Sequence, residues 1–350
     1  MSFKNIFIIG LGLIGGSLAK ALKKQNPKQI IGAFDQDQNT IKLALNQKII
    51  DYGQISLEKI DQEIDLIVIC TPLSSYQNIF DRLVQLNKTN STIIDFGSVK
   101  NFKIPKKLTN FIPCHPLTGS HLSGFENSQQ DLFANSLMII CKQDSFLKNN
   151  HLINLFSTLK LNCQFMSCKE HDQIFALTSH LPQFLSFLIL QSADKITEIN
   201  KSNSFYKALR LDKSDPKIWH DIFKSNERNI EKYYLEFFDN FSKNIFKLTD
   251  NLTILNKINF FYKKYQAFCS YENLDEQLFY DNFVNLFLRV IIVISFLEIK
   301  DLKKFENFIG NGFKDFISIL QIAQLNPNKI GMLIDKNLQN FQKIFNSLNS

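Results

Sequence analysis

Asn5–Ile9 (NIFII) is a β-rich run that passes straight into Gly10-Leu11-Gly12-Leu13-Ile14-Gly15-Gly16-Ser17, and this junction limits what the chain can fold into more than any other stretch. A strand that ends on such a glycine turn and reopens as a helix aims the helix's free amides and positive dipole end at a diphosphate. Gly10 permits the tight turn, Gly12 lets the backbone come close to a pyrophosphate, and Gly15 lets helix pack on strand, with Leu13 and Ile14 completing the turn. Glycine is scarce, 12 residues in 350, so its clustering here reflects backbone demand. The acidic residue expected about 20 positions on is Asp35, which would bind both hydroxyls of a ribose and repel a 2′-phosphate. Neither Gln36 nor Asp37 supplies a cation. The expected cofactor is therefore NAD, with Thr71 and Pro72, after the third strand, on the edge of its cleft.

The same alternation continues downstream. Ile30–Phe34, 65–70 and 91–95 read as strands, with helices near 14–25, 38–48 and 75–86 between them. Such a pattern predicts a parallel sheet with crossover helices. Further strands near 111–114, 137–141 and 163–166, with a helix near 146–160, extend it. From Lys169 onward apolar residues recur at three- and four-residue spacing through 171–198, 217–250, 275–298 and 328–348. The expected fold is an α/β Rossmann-type dinucleotide-binding domain over 1–166 followed by all-α structure. A helical domain is expected at 167–260 and a helical extension at 261–350.

Composition narrows the function classes. An apolar content of 45% suits a folded chain, and the net charge of +7 is spread in ones and twos, so no basic stripe marks a nucleic-acid footprint. The expected partner is a small anionic molecule. Phe283–Leu297 is shorter than a bilayer span and carries Asn285 and Arg289; no membrane association is expected. Six cysteines without a C-x-x-C pair point to a reducing, cytoplasmic setting. Cys163, Cys168 and His171 lack a fourth ligand, and no metal is expected.

Beyond the glycine turn the polar residues gather in short segments: Gly97-Ser98-Val99-Lys100, then His115 through Gly124, then Glu170-His171-Asp172 and Ser179-His180-Leu181-Pro182. Oxidising an alcohol with NAD needs a neutral base within reach of the hydroxyl, and histidine titrates in the right range. His115, at the end of an apolar strand and before Pro116 and a glycine turn, is placed to project from a sheet edge into a cleft. His151 and His220 read as ordinary packing or capping residues.

These segments resemble the prephenate dehydrogenase family, which includes arogenate and cyclohexadienyl dehydrogenases. G-x-G-L-I-G-G-S, D-x-G-S-V-K, H-P-L-x-G-x-x-x-S-G, H-D-x-I-F-A-x-x-S-H-L-P and K-S-D-P-x-x-W-x-D-I-F occur in the family's order over roughly residues 5–250. The resemblance implies an NAD-dependent oxidative decarboxylation of a cyclohexadienol to a phenol on the route to tyrosine. It makes His115 the catalytic histidine on the ring hydroxyl and has Ser98 share that hydroxyl and orient His115. It also assigns Arg210 to the ring carboxylate, a task for which a guanidinium's rigid fork is suited. Trp219 matches a pocket-lining residue, with a core tryptophan as the competing reading.

Departures from the family pattern touch the side-chain pocket. Gln183 stands where relatives often carry histidine, His121 where some carry an acid, and Lys207 where some carry aspartate. Gln183 and His121 therefore join the substrate-binding candidates, and the choice between prephenate and arogenate stays open. The helical half also reads as a duplication: Phe223, Asn226, Asn229 and Ile230 after Pro216 match Ile334, Asn337, Asn340 and Phe341 after Pro327. A homodimer is expected from the resemblance, or a monomeric pseudo-dimer if the second copy takes the partner's place. The alternative to an enzyme is a non-catalytic NAD-binding sensor of redox state or of an aromatic-pathway ligand.

Overall fold

In a computed structural model of the chain, the described residues are 3–58, 60, 63–119, 122–185, 187, 215–249 and 299–308. Residues 3–175 and 215–227 form one compact unit; the other described residues belong to a second.

The first unit is built on an eight-stranded sheet: β1 (Asn5–Ile9), β2 (Ile30–Phe34), β3 (Tyr52–Gln54), β4 (Leu66–Ile69), β5 (Thr92–Asp95), β6 (Phe111–Leu117), β7 (Leu137–Ile140) and β8 (Asn162–Phe165). Their order is β3-β2-β1-β4-β5-β6-β7-β8, parallel from β3 to β6. Because the chain steps outward from β1 to β3 and then returns to the other side of β1, the strand order reverses between β1 and β4, where ligands of such sheets bind. Side chains alternate across β1. Ile6 and Ile8 join the core on one face, Phe7 and Ile9 that on the other, and all four are 1% exposed or less. Full burial of each is worth about 1.5–3 kcal/mol, which explains why these strands read as unbroken apolar runs.

Helices cover both faces. On one, α1 (Leu13–Gln25) buries Gly15, Gly16, Ser17, Leu18, Ala19, Ala21 and Leu22, small residues that bring it close to the strands. On the same side lie α2 (Gln38–Asn46) and α5 (Asn150–Thr158), the latter following the short α4 (Gln143–Leu147). On the other, α3 (Tyr76–Gln85) supplies Tyr76 and Phe80 to an edge-to-face aromatic cluster with Phe102 and Phe111, one use of the chain's 34 phenylalanines. Then come α6 (Cys168–Phe175) and α7 (Pro216–Ser225), the latter capped by Asp215.

Four details depart from the sequence reading. β3 was not expected, because three residues are too few to show a period. The single helix expected at 146–160 is two, parted where Asn149 caps α5. β7 runs antiparallel to β6. The continuous helix expected over 217–250 breaks at Asn226, whose buried side chain is drawn off to donate to the backbone of Asp172.

In the second unit, Ala176–His180 form a π-helical turn, and α8 (Glu227–Thr249) buries Tyr233. The segment around Asp301 is pinned to α8: Asp301 accepts from Lys232 Nζ at 3.0 Å and from the Tyr233 hydroxyl at 3.2 Å, and the Lys300 amide donates to Glu236. Among the described residues no helix is long and apolar enough to cross a membrane. The second copy of the proposed duplication lies almost wholly outside the described residues.

Candidate active site

The parallel strands end together, and their carboxyl edge carries the glycine turn, Thr71, Pro72 and Ser98. β1 opens into Gly10, β4 into Cys70-Thr71-Pro72 and β5 into the Gly97–Lys100 loop. Gly10 has φ +96°, and a Cβ there would lie 2.8 Å from the Cys70 carbonyl oxygen and from Thr71 Cγ2. A Cβ on Gly15 would collide with the Gly10 carbonyl oxygen, so these two glycines are required by the turn itself. Gly12 differs: it is the N-cap of α1, with no side-chain cap, and a Cβ on it would meet nothing within 4 Å. The first amides of α1, from Leu13 and Ile14 onward, are thus left without a side-chain cap, beside a glycine whose Cβ position is open. That is the cradle a diphosphate needs.

Asp35 follows β2. Its carboxylate accepts from the Leu11 amide at 2.8 Å and from the Asp37 amide at 2.9 Å, so it braces the glycine turn from beside it while keeping lone pairs for further donors. Asp37 caps α2, and bonds from the Thr40 hydroxyl and the Asn39 amide hold its carboxyl below the usual range. The set fits a dinucleotide with an unmodified ribose.

His115 lies within β6, two residues beyond Pro113, the last residue of β6 paired to β5. Residues 114–117 pair only with β7, so His115 stands past the end of β5 and is half-buried. The strand reaches Leu117 rather than ending near Cys114, because β7 continues to pair with it. His115 Nδ1 is 2.9 Å from His171 Nε2, and His171 Nδ1 is 2.8 Å from Asp172 Oδ1. Phe175, one turn along α6, meets both imidazoles, with ring centroids 5.1 and 4.6 Å away. Asp172 Oδ1 also accepts the Lys100 amide at 2.8 Å.

Beneath His115 lies a wholly buried ion pair. Lys100 Nζ is 2.6 Å from Asp95 Oδ2, and both side chains are 0% exposed. Asp95 further accepts from the Tyr76 hydroxyl at 3.0 Å, the Gly97 amide at 3.0 Å and the Cys114 amide at 3.3 Å; Lys100 Nζ also donates to the Cys114 carbonyl at 2.5 Å. Burial pushes the Asp95 carboxyl above its ordinary range, with the Lys100 ammonium working against it, and burial pushes the Tyr76 phenol up as well. Both peptide groups of Cys114, the residue before His115, are thereby bolted to one pair.

Ser98 is half-buried on the loop that carries Lys100. It makes no hydrogen bond to His115 here; the ring is held by His171. Trp219 is half-buried on α7 against Phe223, with centroids 5.6 Å apart. Gln183 is buried in the second unit. Arg210 and His121 lie outside the described residues, as does Lys207. His151 packs on Phe3 and His220 is exposed. The sequence marks the Glu170-His171-Asp172 cluster and the D-x-G-S-V-K motif from Asp95 to Lys100 without assigning a role to His171, Asp172, Asp95 or Lys100. An acid and a base five residues apart, flanked by apolar runs, was the available signal.

Two family models match the chain: the nucleotide-binding domain of prephenate dehydrogenase over residues 18–164 and its dimerization domain over 167–259. The chain belongs to the prephenate dehydrogenase family. Among curated relatives it is 28% identical over 265 residues to prephenate dehydrogenase of Lactococcus lactis, covering 71% of this chain and 72% of that protein. It is 26% identical over 238 residues to cyclohexadienyl dehydrogenase of Zymomonas mobilis, covering 64% and 81%. Among solved structures, prephenate dehydrogenase of Aquifex aeolicus in complex with hydroxyphenyl propionate and NAD+ matches at 27% identity with a TM-score of 0.64, over 71% of this chain and 91% of that one. The family fold is thus the α/β nucleotide-binding domain and helical domain described above.

Proposed function

We propose that this member of the prephenate dehydrogenase family catalyses the NAD-dependent oxidative decarboxylation of prephenate to 4-hydroxyphenylpyruvate, or of arogenate to tyrosine, in tyrosine biosynthesis in the cytoplasm. The observation that carries this reading is His115 on the same carboxyl edge as the glycine turn, in a chain matched by both family domains.

Gly10, Gly12, Leu13, Ile14 and Gly15 would hold the pyrophosphate of NAD, Asp35 the adenosine ribose, and Thr71 and Pro72 the cleft edge. NAD, when bound, supplies the hydride acceptor. The substrate's ring alcohol would donate to His115 Nε2, with Ser98 as a second partner to the same oxygen. As the ring carbon gives up its hydride, the O–H bond breaks and an Nε2–H bond forms. Loss of carbon dioxide then puts its bonding electron pair into the ring, the oxygen becomes phenolic, and His115 returns the proton. With prephenate the sum consumes one dianion and NAD+ and yields one monoanion, carbon dioxide and NADH; with arogenate a net monoanion gives net-neutral tyrosine, and neither releases a net proton. Holding the hydroxyl in line with its acceptor and removing one proton are the protein's tasks. Arg210, Trp219, Gln183 and His121 are proposed for substrate recognition on side-chain chemistry and the family resemblance, Arg210 for the ring carboxylate.

The division into 1–166, 167–260 and 261–350 belongs to the same proposal. So does assembly as a homodimer through 167–260, or as a single-chain pseudo-dimer should 261–350 repeat that region; the mass by light scattering separates the two.

The test follows NADH absorbance on mixing the enzyme with NAD and either prephenate or arogenate. Turnover of one of them, reduced on the order of 10²–10⁴-fold in His115→Asn, is the expected result. Turnover of neither, with NAD binding intact, would overturn the assignment.

A further inference from the structure

We infer that His171 and Asp172 are positioning residues that fix the tautomer of His115 and share the charge it takes up. The inference rests on the reading of His115 as the proton acceptor.

A carboxylate only accepts, so the 2.8 Å contact to Asp172 Oδ1 requires the hydrogen on His171 Nδ1. A neutral imidazole has one donor and one acceptor, so His171 Nε2 accepts. The 2.9 Å contact then requires the hydrogen on His115 Nδ1, which makes His115 Nε2 the basic nitrogen. Without this arrangement nothing in the ring's own chemistry selects that nitrogen, and an imidazole carrying its hydrogen on Nε2 cannot take a proton there.

The anchor is itself fixed. Asp172 Oδ1 accepts the Lys100 amide and its backbone carbonyl accepts from Asn226 Nδ2 at 2.7 Å. His171 is 0% and Asp172 3% exposed, so their bonds act with little solvent screening. When His115 becomes an imidazolium, its Nδ1–H already points at an acceptor whose far nitrogen is bonded to a negative charge. No group needs to reorient as the charge appears, which is the economy of preorganised electrostatics.

Two variants and one spectroscopic readout test this. His171→Leu removes the acceptor for His115 Nδ1–H; Asp172→Asn retains an oxygen for the Lys100 amide and for His171 but removes the charge. Imidazole 15N shifts report the tautomer directly, and the His115 signals are found by their loss in His115→Asn. Expected for His171→Leu are a switch of His115 to the Nε2–H form and a kcat lower on the order of 100-fold, with substrate KM and NAD Kd within about twofold. Expected for Asp172→Asn are a retained tautomer and a kcat about tenfold lower. A His171→Leu enzyme that keeps the Nδ1–H form, or keeps kcat within about threefold of the parent, would overturn the inference. A purely structural role would lower the melting temperature and raise KM without changing the tautomer. Should the parent protein turn over neither substrate while the tautomer still switches, the proposed reaction fails and the positioning role stands.

Discussion

Replacing Lys100 by methionine should destabilise the first unit in a way that depends on pH. The substitution keeps most of the side-chain volume and removes the ammonium 2.6 Å from Asp95. Asp95 retains the Tyr76, Gly97 and Cys114 donors at 3.0–3.3 Å, but its charge is left buried without a counter-charge, which costs about 3–5 kcal/mol. Protonation sets a ceiling on that cost. Taking a carboxyl from an ordinary pKa of about 3.9 to the neutral form costs about 1.36 kcal/mol per pH unit, or about 4 kcal/mol at pH 7 and about 1.5 at pH 5. The sign follows from the direction of the shift. Asp95 is already raised in the folded state, so folding binds protons, and the associated stability is greatest below the unfolded pKa and falls as pH rises through the folded one. Removing Lys100 raises the folded value further and deepens that fall. At about 2–4 °C per kcal/mol for a unit of this size, the melting temperature should drop by about 8–16 °C at pH 7 and by about 3–6 °C at pH 5. Scanning calorimetry at the two pH values measures both, and Asp95→Asn combined with Lys100→Met should restore most of the loss. A drop equal at both pH values, or under about 2 °C at pH 7, would refute the reasoning.

Two further predictions concern the cofactor edge. Gly12→Ala places a methyl group where no protein atom lies within 4 Å, at a φ of −70° that alanine adopts freely. The melting temperature should therefore stay within about 2 °C, while the Kd for NAD by calorimetric titration rises at least about tenfold through loss of backbone approach to the pyrophosphate. A loss of stability, or unchanged NAD affinity, would count against the cradle. Asp35→Asn keeps an acceptor for the Leu11 amide but loses the charge, so the ratio of kcat/KM for NAD to that for NADP should fall by about tenfold or more; an unchanged ratio would shift the discrimination to Asp37.

Much of the first unit is legible in the sequence because its signals are local. β1, the glycine turn, α1 and Asp35 fall in one stretch of about 30 residues, the span of a βαβ unit, and strands buried on both faces stand out as apolar runs. What sequence could not supply are features set by distant partners. His115 extends β6 only because β7 pairs beyond the end of β5. Asn226 breaks a helix because Asp172, 54 residues earlier, offers its carbonyl. The ring of His115 meets that of His171, 56 residues on; periodicity carries no information on such a contact.

The position of Lys100 explains why the loop after β5 is polar yet buried. Its ammonium bonds Asp95, at the end of β5, and the carbonyl of Cys114 in β6, while its amide bonds Asp172 on α6. One residue thus fixes the strand that bears His115 and the helix that bears His171 with respect to each other. A buried ion pair is weak support for stability, since a well-packed apolar replacement of the whole pair is often as stable. Its value here is geometric. An apolar pair would fill the same space without specifying where Cys114 stops and His115 begins, and the 2.9 Å contact between the histidines would be left to packing alone. The cost of burying Asp95 and Lys100 is therefore best understood as the cost of holding two imidazoles in register, and the Asp95→Asn/Lys100→Met enzyme should recover stability without recovering kcat.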